Sequence, residues 1–236
     1  LLPTAALAAD EDGVSISIGY YDVPGSKDNP VYATTDAKGD VKIIGFEGTE
    51  DFDPDTDTWN IRWDGETLTL NGAKIIYDEG FDSRAAIYST GDLKIELVGD
   101  NTVTRTNSSG SSSGIVSKCD ITISGSGTLE VSGGDVSEDG YASYGIYADG
   151  DVTVEDADVT ATGGKAGVDS YGIRAFKGIV TISGGTVEAT GGEAGGSSYG
   201  IYGTYNTSLG ADSKTGVTIT GGNVTVQISS VQHVPV

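Results

Sequence analysis

Ser143-Tyr144-Gly145-Ile146-Tyr147-Ala148, Ser170-Tyr171-Gly172-Ile173-Arg174-Ala175 and Ser198-Tyr199-Gly200-Ile201-Tyr202-Gly203 are one unit written three times. Weaker copies precede them at Ser113-Gly114-Ile115-Val116-Ser117 and Ala85-Ala86-Ile87-Tyr88-Ser89. The mark before the isoleucine recurs at Ala86, Gly114, Gly145, Gly172 and Gly200, at intervals of 28, 31, 27 and 28 residues. A fixed period of this length is the signature of a stacked repeat architecture. Each repeat holds two further runs of alternating β-branched residues, such as Asp151-Val152-Thr153-Val154 and Ala157-Asp158-Val159-Thr160-Ala161-Thr162, bounded by Gly or Asp. No interval is long enough for a helix.

Three strands too short to bury a face alone satisfy their backbones by stacking on the equivalent strands of the next repeat, about 4.8 Å away. A propeller blade needs four antiparallel strands and about 40 residues, so three runs in 28 residues predict one coil of a β-helix. The expected fold is all-β, a right-handed parallel β-helix with an irregular N-terminal β cap. Ile146, Val152, Val154, Val159 and Ala161 set the inward parity, and Thr153, Thr160, Thr181 and Thr225 face water. Cys119 shares the parity of Ile121 and Ile123 and reads as a buried small hydrophobe. As the sole cysteine it forms no internal disulfide.

The segment from 10 to 66 fits the repeat poorly and is expected to cap the first rung, whose edge would otherwise recruit another chain. Residues 67 to 228 form the helix, and 229 to 236 read as a tail leading into a further C-terminal region. Residues 1 to 9 look like the end of an export signal, with a small-x-small site at Ala6-Leu7-Ala8. The expected location is therefore extracellular, secreted or on the cell surface. No later run is long and apolar enough to span a bilayer, so no membrane insertion of this segment is expected.

A net charge of -22 repels nucleic-acid phosphates and anionic membranes, which leaves neutral sugars, cations and basic surfaces as partners.

The order Trp63-Asp64-Gly65-Glu66-Thr67-Leu68-Thr69-Leu70-Asn71-Gly72-Ala73, then Ala86-Ile87-Tyr88-Ser89-Thr90-Gly91-Asp92-Leu93-Lys94-Ile95, then Gly-Ile-Tyr coils ending in Gly-Gly, resembles the β-helical repeat proteins exported by clostridia and related gut bacteria. The resemblance covers about residues 59 to 226. It implies a carbohydrate-binding domain of the kind that binds cellulose or polygalacturonate, with calcium.

One position after the ladder isoleucine, an outward column reads Tyr88, Val116, Tyr147, Arg174 and Tyr202. Flat rings about one rung apart suit the stacking of sugar rings, and equally suit the stabilisation of an exposed sheet. Tyr144, Tyr171 and Tyr199 share the interior parity and are assigned to corner packing. The loops opening with Gly133-Gly134, Gly163-Gly164 and Gly191-Gly192 should stack into an acidic rim beside the tyrosine column. Asp92, Asp120 and Asp151 hold equivalent turn positions, where a carboxylate caps its own turn or shares a Ca²⁺ with its neighbours. Asp53, Asp55 and Asp57 alternate as in an EF-hand loop, with Asp64 at the twelfth place, but Thr58 stands where that loop requires Gly; an irregular Ca²⁺ loop remains open.

Catalysis has little to rest on. The single histidine, His233, lies in the tail, and a scheme on Arg174, Lys177, Asp169 and Asp151 has no regular support in the repeats. The sequence reading is an extracellular, non-catalytic module that binds a polysaccharide or a host or cell-wall glycan. The alternatives are a stalk or adhesin repeat with a protein receptor and, third, a polysaccharide lyase or hydrolase.

Overall fold

The computed structural model describes residues 14–44, 52–78, 85–106, 108–136, 139–204 and 216–229. The Ala6-Leu7-Ala8 site and the tail from 230, with His233, lie outside them.

The chain is a parallel β-helix of about five turns whose strands form three sheets. The first sheet stacks Ile87–Ser89, Ser112–Ser117, Ser143–Ala148, Ser170–Ala175 and Ser198–Gly203. The second stacks Lys74–Tyr77, Asp100–Arg105, Thr128–Ser132, Asp158–Thr162, Thr186–Gly191 and Asn223–Ile228. The third runs from Thr67–Asn71 through Leu93–Val98, Ile121–Gly125, Val152–Glu155 and Val180–Ile182 to Val217–Ile219.

Register follows the repeat. Ile87, Ile115, Ile146, Ile173 and Ile201 are successive partners, as are Ile121, Val152, Val180 and Val217, and Leu129, Val159, Val187 and Val224. Like therefore stacks on like, and one column of aliphatic side chains runs the length of the coil. Ile146, Val152, Val154, Val159 and Ala161 are buried, whereas Thr153, Thr160, Thr181 and Thr225 are exposed or partly so.

Asn101 is a polar side chain at a buried ladder position otherwise held by aliphatic residues. Asn101 pairs with Leu129, and its carboxamide accepts the Ala73 N–H at 2.8 Å and donates to the carbonyls of Val98, Gly99 and Thr128. A fully bonded amide is tolerated in an apolar column because no partner is left unsatisfied. It ties three consecutive coils together.

The first rung is covered by antiparallel strands. Ile16–Ile18 lies on Ile87–Ser89 and is followed by Tyr21–Val23. Ile61–Trp63, Val31–Thr35 and Val41–Ile44 extend the third sheet below Thr67–Asn71, with Trp63 fully buried. The turn at Gly39 (φ +93°) reaches the second sheet, where its carbonyl accepts the Ile76 N–H at 3.0 Å. The first-rung strands Ile87–Ser89 and Thr67–Asn71 are thus paired within the protein, and Lys74–Tyr77 is met by the Gly39 turn.

Two expectations need correction. Cys119 is exposed, because the alternation does not carry through the turn after Ser117, where the Cys119 N–H is bonded by Ser117 Oγ at 3.0 Å. Tyr144, Tyr171 and Tyr199 pack ring on ring, with Tyr171 buried, but they do so without the interior parity expected of them. In Ser143–Ala148, Gly145 and Ile146 both face the interior, so Tyr144 and Tyr147 fall on the same outer face. Two consecutive inward residues break the period of two as a bulge does. At Gly172 a side chain has no room: a Cβ there would lie 2.6 Å from the Gly200 carbonyl oxygen and 2.7 Å from the Thr190 nitrogen.

Candidate functional site

The break at each Gly-Ile brings the two tyrosine columns of the first sheet together. The predicted outer column is in register, with Tyr88 on Val116, Val116 on Tyr147, Tyr147 on Arg174 and Arg174 on Tyr202. Beside it, Tyr144 stacks on Tyr171 at 5.3 Å between centroids and 7° between planes, and Tyr171 on Tyr199 at 5.2 Å and 13°. The columns touch: Tyr144 meets Tyr147 at 5.0 Å, Tyr171 meets Tyr202 at 5.8 Å and Tyr199 meets Tyr202 at 4.9 Å. Phe176, largely exposed after its strand, extends the cluster to 6.3 Å from Tyr147. Tyr88 lies two rungs below Tyr147, with Val116 between, and outside the ring contacts.

Arg174 sits at the centre. Its guanidinium carbon is 4.5 Å from the Tyr171 centroid, 5.2 Å from Phe176 and 5.7 Å from Tyr144, and Nη1 donates to the Tyr144 hydroxyl at 3.1 Å. The tyrosine hydroxyls are ordered by two carboxylates: Tyr147 donates to Asp149 at 2.7 Å and Tyr171 to Asp169 at 3.0 Å. Burial, with a smaller contribution from these carboxylates, pushes the Tyr147 and Tyr171 phenols well above their usual range. Burial also raises Tyr144, against the opposing pull of Arg174. All three are therefore neutral donors at physiological pH. Lys118 lies 3.9 Å from Asp149, and Lys177 lies over Phe176 at 5.6 Å.

The Gly-Gly loops border this face as expected. Ser143 Oγ accepts the Gly164 N–H and donates to the Gly134 carbonyl, and Ser170 repeats the pattern with Gly192 and Gly164. These hydroxyls pin the loops rung by rung, and Asp169, which holds Tyr171, is carried by that rim.

The acidic candidates lie elsewhere. Asp92, Asp120 and Asp151 stack along one corner, and each carboxylate bonds the next coil rather than its own turn. Asp92 accepts the Asp120 N–H, Asp120 the Asp151 N–H and Asp151 the Ile179 N–H, at 3.2, 2.8 and 2.8 Å. Asp53 Oδ1 accepts the Asp55 N–H and Asp57 Oδ2 the Asp53 N–H, closing a small turn. Asp64 is held by Arg62 and the N–H groups of Glu66 and Thr67, apart from that turn. Among the described residues no three His, Cys, Asp or Glu side chains converge as a metal-binding group. A shallow depression on the second sheet, lined by Thr128, Glu130, Asp158, Thr160, Thr186 and Glu188, carries no ring and no cation.

Sequence reading identified Tyr147, Arg174 and Tyr202 and missed Tyr144, Tyr171, Tyr199 and Phe176 as members of the same face. The available signal was the middle coil itself, which reads Arg174-Ala175-Phe176-Lys177 where the coil before it reads Tyr147-Ala148-Asp149-Gly150.

No protein-family model matches the chain, and no curated protein and no solved structure shows a significant likeness to it.

Proposed function

We propose that the protein is an extracellular, non-catalytic polysaccharide-binding module whose ligand lies along the tyrosine face of the first sheet. The observation that carries this reading is the convergence of Tyr144, Tyr147, Tyr171, Tyr199, Tyr202 and Phe176 around Arg174 on one rigid face. Tyr147, Tyr202 and Phe176, partly open to solvent, offer apolar surface, and the phenols and guanidinium offer hydrogen bonds, which is the mixture a sugar needs. The repetition of the unit every rung gives several weak contacts to one long chain, and such contacts combine multiplicatively. The sequence pattern of residues 59 to 226, which resembles exported β-helical repeat proteins of which some bind carbohydrate, is in keeping with the same reading and with an extracellular location. The corner aspartates, stacked one rung apart, are the positions at which calcium would act if a ligand required it.

A second reading is favoured by one detail. Tyr144, Tyr171 and Tyr199 stack face to face, so these rings cover one another and stabilise the sheet. That suits a stalk or adhesin repeat in which a protein receptor binds elsewhere. Replacing Tyr147 and Tyr202 together by alanine separates the two: glycan retention is lost in the first case, and adhesion through another face persists in the second.

A further inference from the structure

Arg174 is a cation that the repeat does not explain. The equivalent positions in the other coils are Tyr88, Val116, Tyr147 and Tyr202, and only this coil follows with Phe176 and Lys177. In a chain with 35 acidic and 13 basic residues, a carboxylate is the expected partner for a half-buried arginine. None lies within ion-pair distance of Arg174 or Lys177 among the described residues. Asp149 is turned to Tyr147 and Lys118, and Asp169 to Tyr171 and the Ser197 N–H. A partly desolvated guanidinium without a counter-charge is costly, and contacts with ring faces offset only part of that cost.

The hydrogen bonding is incomplete in a directed way. Arg174 Nη1 donates to the Tyr144 oxygen, Arg174 Nε is buried with no hydrogen-bond partner, and neither Nη2 nor the Tyr144 phenolic proton has one among the described residues. Unmatched donors therefore adjoin one another at this hydrogen bond, with the ammonium of Lys177 over the neighbouring Phe176 ring. Fork-like donors of this kind match oxyanions. Building on the glycan reading, we infer that Arg174 and Tyr144, with Lys177 at the rim, receive a single oxyanion, a carboxylate or a sulfate ester, borne on an otherwise neutral glycan. The charge must be isolated. At physiological salt, screening over about 8 Å lets one anion sit between these cations, whereas a polyanion would lie along the negative coils.

The test uses lactose, sialylated lactose and sulfated lactose displayed on the same neutral polymer, with binding of the intact protein followed by biolayer interferometry. At least one charged conjugate should bind tenfold or more tightly than lactose, and the identity of that conjugate distinguishes carboxylate from sulfate. Arg174→Gln should reduce it to the lactose level, Arg174→Lys should recover part of the preference, and Tyr144→Phe should weaken it severalfold, all with unchanged circular dichroism. Equal binding of the charged and neutral conjugates, or a preference that survives Arg174→Gln, would overturn this inference while leaving glycan binding intact. Failure of every conjugate and every neutral polysaccharide would instead remove the glycan reading and this inference with it.

Discussion

Asp120 accepts, through Oδ1 at 2.8 Å, the backbone N–H of Asp151, its own counterpart one coil further on. Asp92 stands in the same relation to Asp120, and Asp151 to Ile179. An amide oxygen can accept the same bond, so Asp120→Asn should melt at or above the wild-type temperature once like charges one rung apart are removed. Asp120→Ala should lose about 1 kcal/mol. The structure leads us to expect that thermal melts with calcium and with chelator coincide; a rise with calcium that Asp120→Asn abolishes would make this corner a metal site.

Tyr171 is 4% exposed and stacked on both sides, whereas Tyr147 and Tyr202 are more open. Tyr171→Ala should cost about 3 kcal/mol in urea unfolding, by analogy with other aromatic truncations in packed sites. Tyr171→Phe keeps the stack and loses only the bond to Asp169, about 1 kcal/mol. Tyr147→Ala and Tyr202→Ala should act mainly on binding.

Asn101 tests how the column tolerates a polar group. Asn101→Leu matches the leucine one coil on, yet it orphans the buried Ala73 N–H and should cost about 1 to 3 kcal/mol. A stability equal to wild type would show that apolar packing alone decides this position.

The N-terminal cap carries the clearest acid dependence. Hydrogen bonds and ion pairs from Lys27, then Lys94, pull Glu66 from 4.5 to about 2. Burial opposes ionisation of Asp64, but the N–H groups of Thr67 and Glu66 together with Arg62 prevail and lower it below 3.8. Groups with depressed folded values stabilise above their unfolded pKa, and that contribution is lost as pH falls through the folded value. Urea stability should therefore be flat with respect to these groups above pH 4.5 and decline from there towards pH 2. Glu66→Gln should shrink the decline.

Much of this was legible in the sequence because ladders leave a period. Ile146, Val152 and Val159 stack on their counterparts since identical residues recur at the coil length. What the period could not convey were the places where alternation breaks. Gly145 and Ile146 both face inward, which moves Tyr144 to the outer face. The turn after Ser117 takes Cys119 out of the column. Whether an aspartate bonds its own turn or the next coil, as Asp120 does, depends on the separation of rungs, which a linear pattern does not contain.

The most direct measurement is retention of the purified chain on insoluble and soluble polysaccharides, including cellulose, pectins and mucin glycans, with calcium and again with chelator. We expect specific retention on at least one, lost when Tyr147 and Tyr202 are both replaced by alanine in a variant with an unchanged circular dichroism spectrum. Retention on none of them, or equal retention of the double variant, would contradict the assignment of the tyrosine face as a glycan-binding surface.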